Sequence, residues 1–290
     1  MQLSFDKIKP RYVGGVNIMA DGTKIPMKVK RFDQRYLYQR PFELREMEPK
    51  INGQPIPFPM PMKGSDVKFT TARGFITTFM KTDHLELNFI VTKRNGLIKI
   101  DFELTSKQNL NAYGHRYEDV ICNNSSKYSN KSDTYTYYEA TFGKHKVIYS
   151  CELDCIYNNN GRSKPMEVKI ARSNRWGSYQ QTCAWLQCYL GGIDTIILGE
   201  FMLKRDKAVF TKTRLININD RRYMSEVNMD NCVKGLNRFV RLLDVLDKEC
   251  KEGDSYIYIR YGKNTKLPRK HRRRRVYTSA ENCYRIDLNM

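Results

Sequence analysis

Residues 147–171 read VIYSCELDCIYNNNGRSKPMEVKIA, and this stretch decides how the fold is interpreted. Two largely apolar runs, residues 147–156 and 165–171, flank a polar segment rich in Asn, Gly and Ser. Runs of this length and composition on either side of turn-forming residues are typical of two strands joined by a tight loop. The stretch therefore predicts a β-hairpin.

The hairpin carries four charged side chains at two-residue spacing. Side chains two apart on a strand point to the same face, so Glu152 and Asp154 are expected to project together, as are Glu167 and Lys169. Three neighbouring carboxylates repel one another, and Mg²⁺ or Mn²⁺ is the natural partner because hard cations prefer oxygen ligands. Two such ions would clamp the attacking and leaving oxygens of a phosphate displacement, while Lys169 would orient water or offset the growing charge.

The spacing between these motifs is more informative than either motif alone. ExD and ExK patterns occur by chance in charged proteins, where each is commonly a solvated strand face. Here Asp154 is followed, after 12 residues, by Glu-x-Lys, which matches the D…(D/E)xK pattern of a broad nuclease superfamily. The pattern favours a nuclease-like metal site.

Outside the hairpin, strands and helices alternate along the chain. Asn95-Gly96 lies between two apolar runs and is typical of a hairpin turn. The strands expected are 85–92, 97–104, 194–203, 207–214 and 255–262, and the helices are 106–122, Ser173 or Asn174 to Leu190, and 229–250. This order predicts an α+β (mixed α/β) fold, a single domain over residues 1–290 with one mixed β-sheet core, flanking helices and the metal-nuclease hairpin at its centre.

The charge of the chain indicates a polyanionic partner. Its 51 Lys and Arg residues exceed its 31 Asp and Glu residues by 20, and nucleic acid is the expected partner. Residues 263–280 form a basic segment, expected to be flexible, that contains Arg272-Arg273-Arg274-Arg275. This segment is typical of a nuclear import signal, an RNA-phosphate contact or an exposed linker.

The start of the chain, MQLSFDKIKP, has no apolar leader, and no apolar run is long enough to span a bilayer. We therefore expect an intracellular protein that does not bind membranes, with the basic segment favouring the nucleus over the cytoplasm. The eight cysteines contain no CxxC pair, and Cys151 and Cys155 are interpreted as packing residues.

Five short motifs occur in order within residues 71–193. They are Thr71-Ala72-Arg73-Gly74-Phe75-Ile76-Thr77, Gly114-His115-Arg116-Tyr117-Glu118, Glu152-Leu153-Asp154, Glu167-Val168-Lys169 and Trp185-Leu186-Gln187-Cys188-Tyr189-Leu190. This series resembles the DXO family of RNA 5′-end decapping enzymes and exoribonucleases. Ile170 departs from it, since the family frequently has Thr after the motif Lys.

The resemblance implies a role for each motif. Glu118, Glu152, Asp154 and Glu167 would bind two Mg²⁺ or Mn²⁺ ions, with the Val168 carbonyl as a further ligand. Lys169 and Gln187 would contact the scissile phosphate or the attacking water, and Arg73 would hold the 5′ part of the RNA. Catalysis would then rest on Lys169, Glu152 and Asp154.

The resemblance also implies an activity and its setting. The family removes incomplete or non-canonical caps, removes 5′ pyrophosphate and degrades RNA from the 5′ end in RNA quality control, and some relatives bind a larger 5′–3′ exoribonuclease. Two alternatives stay open. One is a DNA or structure-specific nuclease of the D…(D/E)xK type, and the other is an RNA-binding scaffold without catalytic activity. The sequence does not indicate an oligomeric state.

Overall fold

The fold was analysed in a computed structural model. It describes residues 5–19, 24–25, 30–38, 41–44, 58–62, 64–80, 85–102, 112–123, 132–159, 162–173, 175–205, 207–261 and 283–287. The strands in this part of the chain are β1 (Arg11–Met19), β2 (Lys24–Ile25), β3 (Arg31–Phe32), β4 (Phe42–Leu44), β5 (Phe69–Ala72), β6 (Leu85–Arg94), β7 (Leu97–Phe102), β8 (Cys122–Asn123), β9 (Ser132–Phe142), β10 (His145–Glu152), β11 (Cys155–Asn159), β12 (Arg162–Arg172), β13 (Thr195–Lys204), β14 (Lys207–Asn217), β15 (Gly253–Tyr261) and β16 (Cys283–Asp287). The α-helices are α1 (Arg73–Thr78), α2 (Ala112–Ile121), α3 (Ser178–Leu190), α4 (Arg221–Glu226) and α5 (Met229–Glu249).

Within the described residues the strands form two sheets. The first has nine strands in the order β16-β15-β6-β7-β5-β10-β9-β1-β2, and the second has seven in the order β4-β14-β13-β12-β11-β3-β8. Each sheet is mixed: β10 pairs in parallel with β5 and antiparallel with β9, and β12 pairs in parallel with β13 and antiparallel with β11. The predicted α+β class is confirmed, but the strands divide over two sheets where one was expected. The single-domain organisation stays a prediction.

Several predicted elements occur as expected. β6 and β7 form the hairpin across Asn95 and Gly96, whose positive φ angles of 51° and 79° match the turn that Asn-Gly favours. β13, β14 and α5 also follow the predicted boundaries closely, and α3 ends at Leu190, with Gly191 as its C-cap. Local turn chemistry and apolar periodicity were sufficient for these elements.

The start of α3 was predicted wrongly. The helix begins at Ser178 with Gly177 as N-cap, and not after Ser173 or Asn174. The backbone N–H of Ser173 donates to the Phe201 carbonyl at 2.8 Å, so this residue extends the pairing of the second sheet. Of the predicted helix 106–122, Ala112–Ile121 is helical and Cys122 begins β8, while residues 106–111 lie outside the described part.

The central hairpin differs from the predicted one in an important respect. The apolar run 147–156 is not one strand, because β10 ends in the first sheet at Glu152 and β11 begins in the second sheet at Cys155. Leu153 and Asp154 connect the two sheets. β11 and β12 then form the predicted hairpin, with a shorter loop than expected. Glu152 and Asp154 therefore belong to the same crossing but not to the same strand.

Two apolar cores lie on either side of this crossing. One joins α1, α3 and α5 to the first sheet and includes Cys151, while the other packs α2 against the second sheet and includes Cys155. Both cysteines are buried, which confirms their interpretation as packing residues. No helix among the described residues has the length and apolarity needed to cross a membrane.

Gly199 of β13 allows α2 to approach the second sheet. The ring of Tyr117 lies against this glycine, stacks on Phe210 with 4.4 Å between the ring centroids, and has its hydroxyl 2.7 Å from that of Thr213. A Cβ atom on Gly199 would lie 2.7 Å from Cε1 of Tyr117, which is too close for two carbon atoms. Because Tyr117 precedes Glu118 on α2, the absence of a side chain at Gly199 permits the placement of α2 that brings Glu118 to the cavity.

We expect Gly199→Ala to destabilise the protein by about 1–3 kcal/mol, the usual effect of overpacking a core, because the Tyr117 ring must move. The change in free energy of unfolding is measurable by urea denaturation. Gly177→Ala is the matched control, since the nearest atom to its added Cβ is the end of the Gln180 side chain at 3.4 Å. Equal stability losses in the two variants would contradict this account of Gly199.

Candidate active site

One cavity of about 390 Å³ lies where the ends of β5 and β10 meet the middle of β12. The motifs of the sequence converge on it, although they are spread over more than 100 residues. Its lining includes all eight residues singled out by the motifs: Arg73, Glu118, Glu152, Asp154, Glu167, Val168, Lys169 and Gln187.

Arg73 is a buried cation that joins three elements at the cavity wall. Its Nη1 donates to Glu167 Oε2 at 2.9 Å and to the Gln187 carbonyl at 3.1 Å, and its Nη2 donates to the Glu152 carbonyl at 3.4 Å. The guanidinium thereby connects the start of α1 to β12, to α3 and to the end of β10. Gly191 leaves the space for this contact, because a Cβ there would lie 2.9 Å from Nη1.

Glu167 is the most strongly compensated carboxylate of the site. It is 2% exposed, and burial by itself would raise the pKa of its carboxyl, but Arg73 and Lys169 outweigh this effect and hold the pKa below its usual value. Lys169 donates to Oε1 of Glu167 while Arg73 holds Oε2. Glu167 is therefore ionised in the interior, with Arg73 donating to both of its oxygens and Lys169 to one of them.

Asp154 has the opposite electrostatic character. Burial raises the pKa of its carboxyl well above the usual range, Glu167 and Glu118 raise it further, and Lys169 offsets only part of this. Its Oδ2 accepts a 2.6 Å hydrogen bond from the Val168 N–H, which fixes the carboxylate against β12. The repulsion from Glu167 and Glu118 shows that the three acidic groups act on one another across the cavity.

Glu118 forms an ion pair with Lys30, a residue that the sequence motifs did not predict for the site. Lys30 Nζ lies 2.7 Å from Glu118 Oε1, and both side chains are about nine-tenths buried. Burial raises the pKa of Glu118 to about 7, an effect that Lys30 reduces and Glu152 increases. The Lys30 carbonyl accepts from the Ile156 N–H at 2.8 Å, so pairing with β11 brings this lysine to the site. Lys30 lies among several basic residues, and no local signal distinguishes it.

The remaining lining is small or polar. Gln187, predicted on a helix, lies on α3 with a half-buried side chain at the cavity. The other lining residues, none of them among the predicted site residues, are Ala72, Gly74, Gly114, Tyr135, Ser150 and Ile170. Ser150 had a signal in the sequence, because it lies two residues before Glu152 and shares its face of β10.

Comparison with known proteins identifies the family of this chain. The family model described as RAI1-like PD-(D/E)XK nuclease matches residues 58–275. The chain belongs to this family. The resemblance to the DXO family, of which Rai1 and Dxo1 proteins are members, is thereby confirmed. No curated protein sequence is significantly similar to this RAI1-like nuclease.

Solved structures share its fold at low sequence identity. Schizosaccharomyces pombe Rai1 in complex with 3′-FADP is 17% identical, with a TM-score of 0.59 and coverage of 83% of this chain and 86% of that chain. Candida albicans Rai1 in complex with pU5-Mn²⁺ is 13% identical, with a TM-score of 0.56 and 87% of each chain covered. Kluyveromyces lactis Dxo1 in complex with manganese is 12% identical, with a TM-score of 0.58 and coverage of 89% and 92%.

The donor set of the RAI1-like nuclease fits a hard divalent cation, although the side chains are not arranged as its ligands. Among the described residues, no three His, Cys, Asp or Glu side chains are placed to hold one metal ion. Instead, Glu118 is paired with Lys30, and Glu167 with Arg73 and Lys169. The acidic groups are nevertheless all oxygen donors, face one cavity and repel one another there, which suits Mg²⁺ or Mn²⁺.

Lys30→Met should destabilise the metal-free protein at pH 8 by about 1–3 kcal/mol, because Glu118 loses its buried hydrogen-bond partner. Loss of Lys30 also raises the pKa of Glu118 further, so the buried carboxyl takes up a proton that the unfolded chain does not bind at this pH. The free energy of unfolding from urea titrations gives the measurement. A double variant, Lys30→Met with Glu118→Gln, should recover most of the loss. A double variant as unstable as the single one would show that Lys30 acts through other contacts.

The raised pKa of Glu118 predicts a specific pH dependence in the presence of a chelator. The folded protein holds the Glu118 proton up to a pKa of about 7, whereas the ordinary pKa of this carboxyl, expected in the unfolded chain, is 4.5. The contribution of this group to stability is therefore complete below pH 4.5 and is lost as pH rises through 7. We expect the difference in unfolding free energy between Glu118→Gln and wild type to change across this interval. A difference that is constant with pH would contradict the assignment.

Proposed function

We propose that this RAI1-like nuclease is a divalent-metal-dependent hydrolase of RNA 5′ ends. The observation that carries the proposal is that Glu118, Glu152, Asp154 and Glu167 face one cavity together with Lys169. The net charge of +20 supports a polyanionic substrate. The ligands of the solved relatives, pU5-Mn²⁺ and 3′-FADP, support RNA or nucleotide ends as the substrate class.

The residues of the cavity divide the work of phosphate hydrolysis. The four acidic residues would hold Mg²⁺ or Mn²⁺, with the Val168 carbonyl as a further ligand, and two ions are proposed. When bound, the metal would neutralise phosphate charge and activate water for attack. Lys169 would bind the phosphate while Glu167 orients its ammonium group, since the two side chains are already hydrogen-bonded. Gln187 would position the water or the phosphate from α3.

The contacts of Arg73 favour a positioning role for it in this mechanism. It was predicted to hold the 5′ part of the RNA, and that stays a prediction. Its guanidinium donates to Glu167, to the Gln187 carbonyl and to the Glu152 carbonyl, so it fixes three site residues relative to one another. By keeping Glu167 ionised, it would maintain a metal ligand in its binding form.

The finer activity is proposed from the family. Removal of incomplete or non-canonical caps, removal of 5′ pyrophosphate and 5′–3′ exoribonuclease activity all need a phosphate placed beside the same acidic residues. Binding to a larger 5′–3′ exoribonuclease and a nuclear location also stay predictions. The basic segment 263–280 that favours the nucleus lies outside the described residues.

The deciding experiment compares RNAs that differ only at the 5′ end. Oligonucleotides with a 5′-monophosphate, a 5′-triphosphate, an unmethylated cap, a methylated cap or an NAD cap are incubated with the protein and Mn²⁺, and the products are identified by mass spectrometry. We expect release of a 5′ group or nucleotide. The double variant Glu152→Ala with Asp154→Ala should reduce the rate of hydrolysis by at least roughly 100-fold. Loss of a residue that only hydrogen-bonds to a metal ligand already costs up to about that factor, and these two residues are proposed to bind the metal directly.

Asp66→Ala with Glu139→Ala is the matched control, because both carboxylates pair with basic residues away from the cavity. This control should retain activity. Hydrolysis that survives in the Glu152 and Asp154 double variant would refute the proposal. Preferential internal cleavage of a DNA substrate tested in the same assay would establish the alternative DNA nuclease. Tight RNA binding without turnover in Mn²⁺ or in Mg²⁺ would establish an inactive scaffold.

A further inference from the structure

The hydroxyl group of Ser150 is buried in the cavity wall without a hydrogen-bond partner among the described residues. Ser150 lies on β10, is 2% exposed, and its Oγ makes no hydrogen bond within the described structure. Burying a hydroxyl without a bond costs free energy of folding, so such groups are rare in native proteins and call for an explanation.

Neighbouring hydroxyls in the same sheet behave differently. Thr71 Oγ1 donates to the Ile100 carbonyl at 3.1 Å, and Thr136 Oγ1 donates to the Cys151 carbonyl at 3.3 Å. Both threonines are buried, as Ser150 is. Since nearby hydroxyls find backbone acceptors, the sheet does not in general prevent such bonding. Ser150 differs because its side chain faces the cavity.

The position of Ser150 relates it to the acidic residues. Ser150 and Glu152 are two apart on β10 and both line the cavity, so their Cα atoms are separated by about 6.6 Å along one face. That separation is comparable to the distance between successive phosphates of an extended RNA strand. On the neighbouring strand, Ala72 pairs with Ser150 and also lines the cavity.

We propose that the Ser150 hydroxyl donates a hydrogen bond to a phosphate oxygen of the RNA 5′ end, at the phosphate next to the one that Lys169 would bind. A hydroxyl can donate to an anionic oxygen, and bonds to charged acceptors are stronger than neutral ones. Arg73 and Lys169 line the same cavity and offset part of the negative charge of its acidic residues. The inference rests on the proposed function and adds a residue that selects a phosphorylated 5′ end.

The test measures binding and stability in the same variant. Dissociation constants of a fluorescent RNA pentamer carrying either a 5′-phosphate or a 5′-hydroxyl are determined for wild type and Ser150→Ala in Ca²⁺, and the RNA is checked to be intact afterwards. Ser150→Ala should weaken binding of the 5′-phosphate RNA about tenfold, the effect of losing a bond to a charged group, with little change for the 5′-hydroxyl RNA. Its melting temperature should not fall, because no protein bond is lost.

Thr136→Val is the matched control, since it removes a buried hydroxyl that does have a protein partner. It should lower the melting temperature and leave the preference for a 5′-phosphate unchanged. If Ser150→Ala weakens the binding of both RNAs equally, or leaves both affinities unchanged, the assignment of Ser150 is overturned. The proposed function still holds in that case if the wild type hydrolyses RNA. A wild type that neither binds nor hydrolyses either RNA would overturn both.

Discussion

The buried ion pair between Arg73 and Glu167 is the interaction on which the site depends. It joins the first sheet, where Arg73 follows β5, to the middle of β12 in the second sheet. An ion pair of this kind is tolerated in the interior only when further hydrogen bonds satisfy both partners. Here the carbonyls of Glu152 and Gln187 and the ammonium group of Lys169 provide them. The ion pair and the placement of the site residues therefore depend on the same network of hydrogen bonds.

The balance of charge in the cavity follows from this network. Three cations, Lys30, Arg73 and Lys169, lie among the acidic residues and compensate them unequally. Glu167 is held ionised, whereas Asp154 and Glu118 have raised pKa values because burial dominates. Neighbouring carboxyl groups with opposite shifts indicate a site prepared for an additional positive charge.

Much of this site could be predicted from the sequence, because short motifs with fixed spacing determine which side chains share a face. All eight predicted site residues line one cavity, although their separate roles stay predictions. The crossing between Glu152 and Cys155 could not be predicted, since an apolar run looks the same whether it stays in one sheet or changes to another. Lys30 could not be predicted either, because its partner Glu118 is 88 residues away and nearby lysines share its local pattern. Backbone pairing between distant segments, here Lys30 with Ile156, brings this lysine to the site.

The crossing at Leu153 and Asp154 places residues of both sheets at the same cavity. Glu152 ends a strand of one sheet, while Asp154 is fastened by its carboxylate to β12 of the other. A cation bound by both residues would act as a crosslink between the sheets, and any slippage of one sheet against the other would release it. A free cation concentration of 100 times the dissociation constant would add about 2.7 kcal/mol to the stability of the folded protein. Cation binding by Glu152 and Asp154 would therefore depend on the correct packing of the two sheets against each other.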